Sequence, residues 1–194
     1  VTADGRRFVN EADSYHDFMQ ALLRACPRGR AGAWLVCDHR FIRRYGLGAV
    51  KPAPVPIGAW QARAYLRSAA SLPELARACG IDPQGLTDTV TRYNAMCASG
   101  VDDEFGKGRT PYNRIQGDAS HGGANPCMAP LRQGPFHAVR IVPGSLGTFA
   151  GLRCDEQGRA LDALGRVIDG LYYCGNDRHS IMGGRYPSGG ITLG

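Results

Sequence analysis

Leu171-Tyr172-Tyr173-Cys174-Gly175-Asn176-Asp177-Arg178-His179-Ser180-Ile181-Met182-Gly183-Gly184-Arg185-Tyr186-Pro187-Ser188-Gly189-Gly190-Ile191-Thr192-Leu193-Gly194 closes the sequence, and the rest of the chain is read outward from it. Leu171 to Cys174 reads as a short apolar strand that passes into a turn at Gly175-Asn176-Asp177. The glycine pairs 183–184 and 189–190 require a backbone that adopts φ > 0 or lies close against something. Gly189-Gly190 ahead of Ile191-Thr192-Leu193 reads as a loop feeding a helix N-terminus, whose N–H groups and positive dipole end suit an electron-rich oxygen. On glycine content alone, a Gly-rich surface turn is an equal alternative.

Upstream, Gly144-Ser145-Leu146-Gly147-Thr148-Phe149-Ala150-Gly151-Leu152 is a second Gly-rich stretch. Between the two, Arg153 to Asp155 and Ala160 to Asp162 flank a turn at Gln157-Gly158-Arg159 and read as a hairpin. Nearer the start, Asp4-Gly5 predicts another hairpin turn, with Arg7 to Asn10 as its second strand. A helix follows from Tyr15 to Cys26, capped by Ser14 or Asp13 and ended by Pro27. Ala33 to Cys37 reads as a buried strand, Gly58 to Ala70 as a helix, and Leu72 onward as a short helix ending at Gly80. Asp82-Pro83 is a cap followed by proline at the first helical position, so Gln84 to Ala98 is helical, with Leu86, Val90, Tyr93 and Cys97 inward. Residues 102–123 are polar, Gly-rich and irregular, and are expected to cover a neighbouring surface. Phe136 to Val142 closes this part as a strand.

The chain has 194 residues, 43% hydrophobic and 21% charged, which suits one or two globular domains. No apolar run approaches the roughly 20 residues of a membrane span, and no leader opens the sequence, so the expected location is the cytoplasm. Seven cysteines without C-x-x-C spacing signal neither zinc nor a disulfide framework; most read as buried thiols. The five histidines lack metal spacing. The net charge of +6 is scattered rather than interleaved with aromatics, which argues against nucleic acid and equally suits a diphosphate ligand. No G-x-G-x-x-G occurs after a strand, so a nucleotide-binding first half would lie upstream of Val1.

Gly183-Gly184-Arg185-Tyr186-Pro187-Ser188-Gly189-Gly190-Ile191-Thr192-Leu193-Gly194 resembles the C-terminal FAD-binding segment of the fumarate reductase/succinate dehydrogenase flavoprotein superfamily, in its 3-ketosteroid dehydrogenase-like branch. Gly5-Arg6-Arg7-Phe8-Val9-Asn10-Glu11 looks like the entry to that family's substrate-capping domain, and 144–152 is similar to its strand-loop beside the flavin. The resemblance implies an α+β fold: a catalytic substrate-capping domain over 1–141, and over 142–194 an incomplete C-terminal segment of a Rossmann-like FAD domain. FAD is the implied cofactor, and no metal is implied. Gly147, Thr148, Gly175, Asn176, Asp177, Ser188, Gly189, Ile191, Thr192 and Leu193 are the implied cofactor contacts.

Flavin oxidation of a C–C bond needs a hydride acceptor, a proton handler on the neighbouring carbon, and a group that polarises the adjacent carbonyl. The resemblance assigns Tyr15 to the proton, and Tyr186 with the Gly190 N–H to the carbonyl oxygen. A phenol titrates near about 10, so a tyrosine base needs activation, which the family takes from a second tyrosine in the half upstream. Fumarate reductases carry arginines where this chain has Tyr15 and Tyr186, so a dicarboxylate is disfavoured and a keto compound, at one extreme steroid-like, is expected. Ser188 departs from the Tyr-Pro-Gly pattern of the ketosteroid enzymes and adds a hydroxyl for a more polar substrate. The expected partners are that small molecule and the missing N-terminal FAD-binding half, without which the fragment is expected to be inactive. Two other functions remain open: a non-catalytic ligand-binding or interaction domain, and a reductase of a carboxylate-bearing substrate, which Arg185 or Arg44 in the cleft would favour.

Overall fold

The computed structural model describes residues 1–26, 32–145, 147–148, 150–187 and 189–190. Contacts divide the chain into two compact units, one of Val1–Asp13 with Gln20–Pro143, the other of Ser14–Met19 with Gly144–Gly194. The division thus groups Tyr15 with the second unit, whereas the sequence reading assigns it to 1–141.

The first unit is built on a three-stranded antiparallel sheet of β1 (Ala33–Asp38), β2 (Leu66–Ala69) and β3 (Phe136–Ile141), in the order β1-β3-β2. Its central strand pairs Cys37 with His137 on one side and Leu66 with Val139 on the other. Leu66 and Val139 bury with Cys37, Ile42 and Val50 in one apolar cluster. The helix expected over 58–70 stops early: α3 is only Gly58–Ala62, and Ala64 turns to φ 55°. Leu66-Arg67-Ser68-Ala69 becomes a strand because it alternates in and out and finds the edge of β3; pairing partners outweigh local helix preference.

α1 spans Tyr15–Ala25 and α2 spans His39–Tyr45. The latter is not expected from the sequence. It starts because the Asp38 carboxylate accepts the Phe41 N–H at 2.8 Å, and it ends at Gly46, whose φ of 78° suits glycine. α4 (Leu72–Cys79) carries a Ser71/Glu74 capping box, and α5 (Pro83–Ser99) is capped by Asp82, close to the predicted bounds. Leu86, Val90 and Cys97 are buried as expected, while Tyr93 is half-buried. Of the seven cysteines, only Cys37 and Cys97 are buried; most are more open than predicted.

Asp4-Gly5 does turn, with the Thr2 N–H on the Arg6 carbonyl, but 7–10 forms no ladder. Arg7 has another role. Its guanidinium meets Asp102 and Glu11, each at 2.8 Å, and Glu104 at 3.4 Å, and it lies over the rings of Tyr93 and Phe105. Lys107 closes the cluster on Glu11 at 3.2 Å. The polar stretch from 102 is therefore tied to the start of the chain. Asp102 also accepts the N–H groups of Glu104, Phe105 and Lys107, and the fully buried Asn113 bonds Asn10, Ala12 and Asp13. α6 (Pro111–Ile115) forms within it.

His137 lies at the centre of the sheet with no exposure. Its Nδ1 is 2.7 Å from Ser68 Oγ and its Nε2 3.1 Å from His39 Nδ1, while Gln61 donates to Ser68. Burial, with His39 alongside, pushes its pKa down to about 4. A depressed base destabilises the fold in acid, because the unfolded imidazole takes its proton first, near about 6.5. Stability is expected to be flat above that pH and to fall by up to about 3 kcal/mol as pH drops toward 4. Urea unfolding at pH 7, 5.5 and 4 checks this, with His137→Asn expected to flatten the fall.

The second unit contains an antiparallel pair, β4 (Arg159–Leu161) and β5 (Val167–Tyr172), with Arg159 opposite Tyr172 and Leu161 opposite Val167. Asp155 grips Arg159, and Asp162 grips Arg166, across the two tight turns. The predicted strand from Leu171 starts earlier and ends earlier. Every residue of β5 is exposed, including Ile168, Leu171 and Tyr172.

Candidate active site

Tyr15 is the first helical residue of α1. Ser14 precedes it, and its hydroxyl accepts the Asp17 N–H at 3.2 Å, so the cap is Ser14. The Tyr15 ring lies 5.0 Å from the Tyr186 ring, centroid to centroid, with the planes tilted by 35°. Both belong to the second unit. That spacing is within the range in which aromatic rings attract. Tyr15 remains 40% exposed.

Two turns in series deliver Tyr186. The Gly183 N–H bonds the Ser180 carbonyl at 3.0 Å, and the Arg185 N–H bonds the Met182 carbonyl at 3.1 Å. Gly183 and Gly184 sit at φ 59° and 80°, a path that a side chain would strain. Gly190 follows at φ 91°.

The two Gly-rich stretches are side by side. The Leu152 N–H donates to the Asp177 carbonyl at 2.7 Å, and the His179 N–H donates back to the Leu152 carbonyl at 2.9 Å. Gly151 permits this approach: a Cβ there would stand 2.1 Å from the Arg178 carbonyl oxygen. Gly175, Asn176 and Asp177 form one exposed 3-10 turn after β5. Gly147 and Thr148 are exposed, with the Gly147 carbonyl accepting from the Ser145 hydroxyl. Ser188, Ile191, Thr192 and Leu193 lie outside the described residues.

Whether this surface suits a flavin can be read from its glycines. Among the described residues, Cβ atoms at Gly175, Gly183, Gly189 and Gly190 would meet no atom within 4 Å. A backbone left bare toward open space fits a flat external group lying on it. The residues present therefore fit FAD.

Arg44 is committed elsewhere, 2.7 Å from Asp118 and 2.6 Å from the Ser120 hydroxyl, in the first unit. Arg185 is exposed beside Tyr186 in sequence. His121 has both ring nitrogens engaged, Nε2 with the Asn125 carbonyl and Nδ1 with the Gly123 N–H. Among the described residues, no cluster of His, Cys, Asp and Glu could hold a metal ion, and no helix is long and apolar enough to cross a membrane. The His137–Ser68–His39 chain has no signal in the sequence, because its members come from three separate elements.

A family model described as an FAD binding domain matches residues 1–193. Among curated proteins, the chain is 39% identical over 195 residues to 4-oxocyclohex-2-ene-1-carboxylate 5-dehydrogenase of Sinomonas cyclohexanicum, covering all of this chain and 33% of that protein. It is 36% identical over 200 residues to 3-oxosteroid 1-dehydrogenase of Mycobacterium tuberculosis, again over its whole length and 35% of the relative. Among solved structures, 3-ketosteroid delta1-dehydrogenase from Sterolibacterium denitrificans, in complex with 1,4-androstadiene-3,17-dione, superimposes with a TM-score of 0.90 at 36% identity. It covers all of this chain and 35% of that one. The chain thus spans about a third of the length of these relatives, and its mixed helix-and-strand fold is that of a flavoprotein dehydrogenase. The ketosteroid dehydrogenase likeness read from 183–194 is borne out, and a match of nearly the whole length makes this chain a member of the FAD binding domain family, with FAD as its cofactor.

Proposed function

We propose that the whole protein is an FAD-dependent oxidoreductase that moves hydrogen across a C–C bond beside the carbonyl of a ring ketone. The observation that carries this reading is the 5.0 Å approach of the Tyr15 and Tyr186 rings within one unit that also bears both Gly-rich stretches. Relatives over the whole chain are named for dehydrogenating oxocyclohexene carboxylate and 3-oxosteroid substrates, each a cyclic ketone.

In this reading Tyr186 donates its phenolic O–H to the ketone oxygen, and the Gly190 N–H supplies the second donor. Both hold the negative charge that develops on oxygen when the α-carbon loses its proton. Tyr15, ionised, takes that proton. The electron pair left behind forms the new C=C bond as hydride departs from the β-carbon. The bound flavin supplies the site that accepts this hydride. Gly147, Thr148, the 175–177 turn and Gly189 would contact the cofactor, joined by Ser188, Ile191, Thr192 and Leu193.

We assign 1–141 to a substrate-capping domain and 142–194 to part of a Rossmann-like FAD domain whose other half completes it. The bare apolar side chains of β5 support that assignment, since exposed strands of this kind are normally covered. Two arginine clamps are absent at Tyr15 and Tyr186, which disfavours a dicarboxylate. A ring carboxylate remains compatible, because one relative is named for such a substrate.

The test is anaerobic mixing of full-length, flavin-loaded protein with 4-oxocyclohexanecarboxylate, a 3-oxosteroid or succinate, following the flavin band near about 450 nm. Bleaching by at least one ring ketone and not by succinate is expected. If only succinate bleaches it, the ketone reading fails.

A further inference from the structure

The first unit contains a cavity of about 320 Å³ between α2, the C-terminal turns of α5 and the loop segments 121–123 and 128–132. Its lining includes the guanidinium side chains of Arg40, Arg44 and Arg132 and the apolar side chains of Phe41, Met128 and Pro130. None of the residues assigned above to carbonyl, proton or flavin lies in its wall.

The three guanidinium groups are not equivalent. Arg44 is neutralised by Asp118, which also accepts from the Tyr45 and Ser120 hydroxyls. The other nearby carboxylate, Asp38, is occupied by the Phe41 N–H. Arg40 and Arg132 have no carboxylate partner among the described residues, and both are exposed. Three positive groups thus face two carboxylates that are both already engaged, which leaves an excess of positive charge at the cavity. His121 has both ring nitrogens engaged, Nδ1 by the Gly123 N–H and Nε2 by the Asn125 carbonyl. Its ring is a wall that shapes the 122–123 corner.

We infer that this cavity binds a small amphipathic anion, with a carboxylate or phosphate head on the forks of Arg40 and Arg132 and a single-ring or short-chain body against Phe41, Met128 and Pro130. A guanidinium fork matches either head group in planar, two-bond geometry. The volume lies at the lower end of small-molecule sites, enough for about a dozen non-hydrogen atoms. A body of that size with one charged head group supports a Kd on the order of 0.1–1 mM. The inference is independent of the flavin reading, since it uses only groups of the first unit.

The experiment is calorimetric titration of the full-length, flavin-loaded protein with cyclohexanecarboxylate, phenyl phosphate, inorganic phosphate and neutral cyclohexanol. At least one ring anion is expected to bind at 1 mM or tighter, and cyclohexanol and inorganic phosphate at least tenfold more weakly. The better of the two ring anions identifies the head group. Arg40→Gln and Arg132→Gln should each weaken the ring anion by tenfold or more while leaving ketone turnover unchanged; both positions are exposed and unpaired, so both variants fold. Failure of both ring anions to bind overturns the inference. So does inorganic phosphate binding as tightly as they do, or ring-anion affinity that neither substitution alters. A failure of ketone oxidation in the same preparation would leave this result standing, because binding is read as heat.

Discussion

Tyr186→Phe in the full-length, flavin-loaded protein is expected to lower turnover of a ring ketone by about 10²–10³-fold, the usual cost of losing one donor to a developing oxyanion. The substitution removes one oxygen and leaves the ring, so the 5.0 Å contact with Tyr15 persists and folding is undisturbed. Tyr15→Phe removes the proton acceptor and should cost about 10²–10⁴-fold. It should also abolish exchange of the ketone's α-hydrogens in D₂O, which a merely packing tyrosine would not affect. Two groups serving one step act as a unit, so the double variant should be little worse than the poorer single one. Steady-state rates with a fixed flavin absorbance check all three. Turnover unchanged in Tyr186→Phe would remove the carbonyl clamp from the proposal, whatever the fate of Tyr15.

Arg7→Met should destabilise the first unit by about 3–5 kcal/mol, the cost of stripping one partner from a buried ion cluster. Arg7 has 5% of its side chain exposed and Asp102 none, so solvent does little to screen the pair. Without Arg7 the carboxylates of Asp102, Glu11 and Glu104 are left close together with only Lys107 on Glu11 and Arg92 on Glu104. Arg7→Lys should recover only part of the loss, because one ammonium cannot reproduce the fork that reaches Glu11 and Asp102 at once.

The same cluster fixes an acid limit. Burial tends to raise the carboxyl pKa of Glu11, but Lys107 and Arg7 outweigh it and hold it at about 2; Asp102 is likewise held at about 2 by Arg7 against its burial. Groups with depressed carboxyl values stabilise the fold above their ordinary range, near about 4, and that contribution is lost as pH falls toward 2. Denaturant titrations at pH 7, 4 and 2.5 should show the loss in the natural protein and a shallower one in Arg7→Met. A change below about 1 kcal/mol at pH 7 would mean that water reaches the cluster after all.

What could be read from the residues alone was whatever a few neighbours encode among themselves. Ser71 with Glu74, Asp82 with Pro83, and Gly80 and Gly100 mark helix ends through bonds that span at most four positions. The run from Gly183 to Gly194 carries the family likeness in the same local way, as one contiguous string of residue types in which Gly183, Gly184 and Gly190 take positive φ. Residues 66–69 were misread as helix since their partner lies about 70 positions away in β3, and no local signal announces it. α2 was missed because its cap, Asp38, also ends a strand.

Distance along the chain likewise hid two groupings of charged residues. Arg7 and Asp102 pair across 95 positions, and Arg40 and Arg132 line one cavity from 92 positions apart, whereas Tyr15 and Tyr186, 171 positions apart, were brought together beforehand only by the family resemblance. Sequence supplies the residue types and their local turns. Only the folded chain decides which charges are left without a partner and which rings face each other, because burial and pairing depend on everything packed around them.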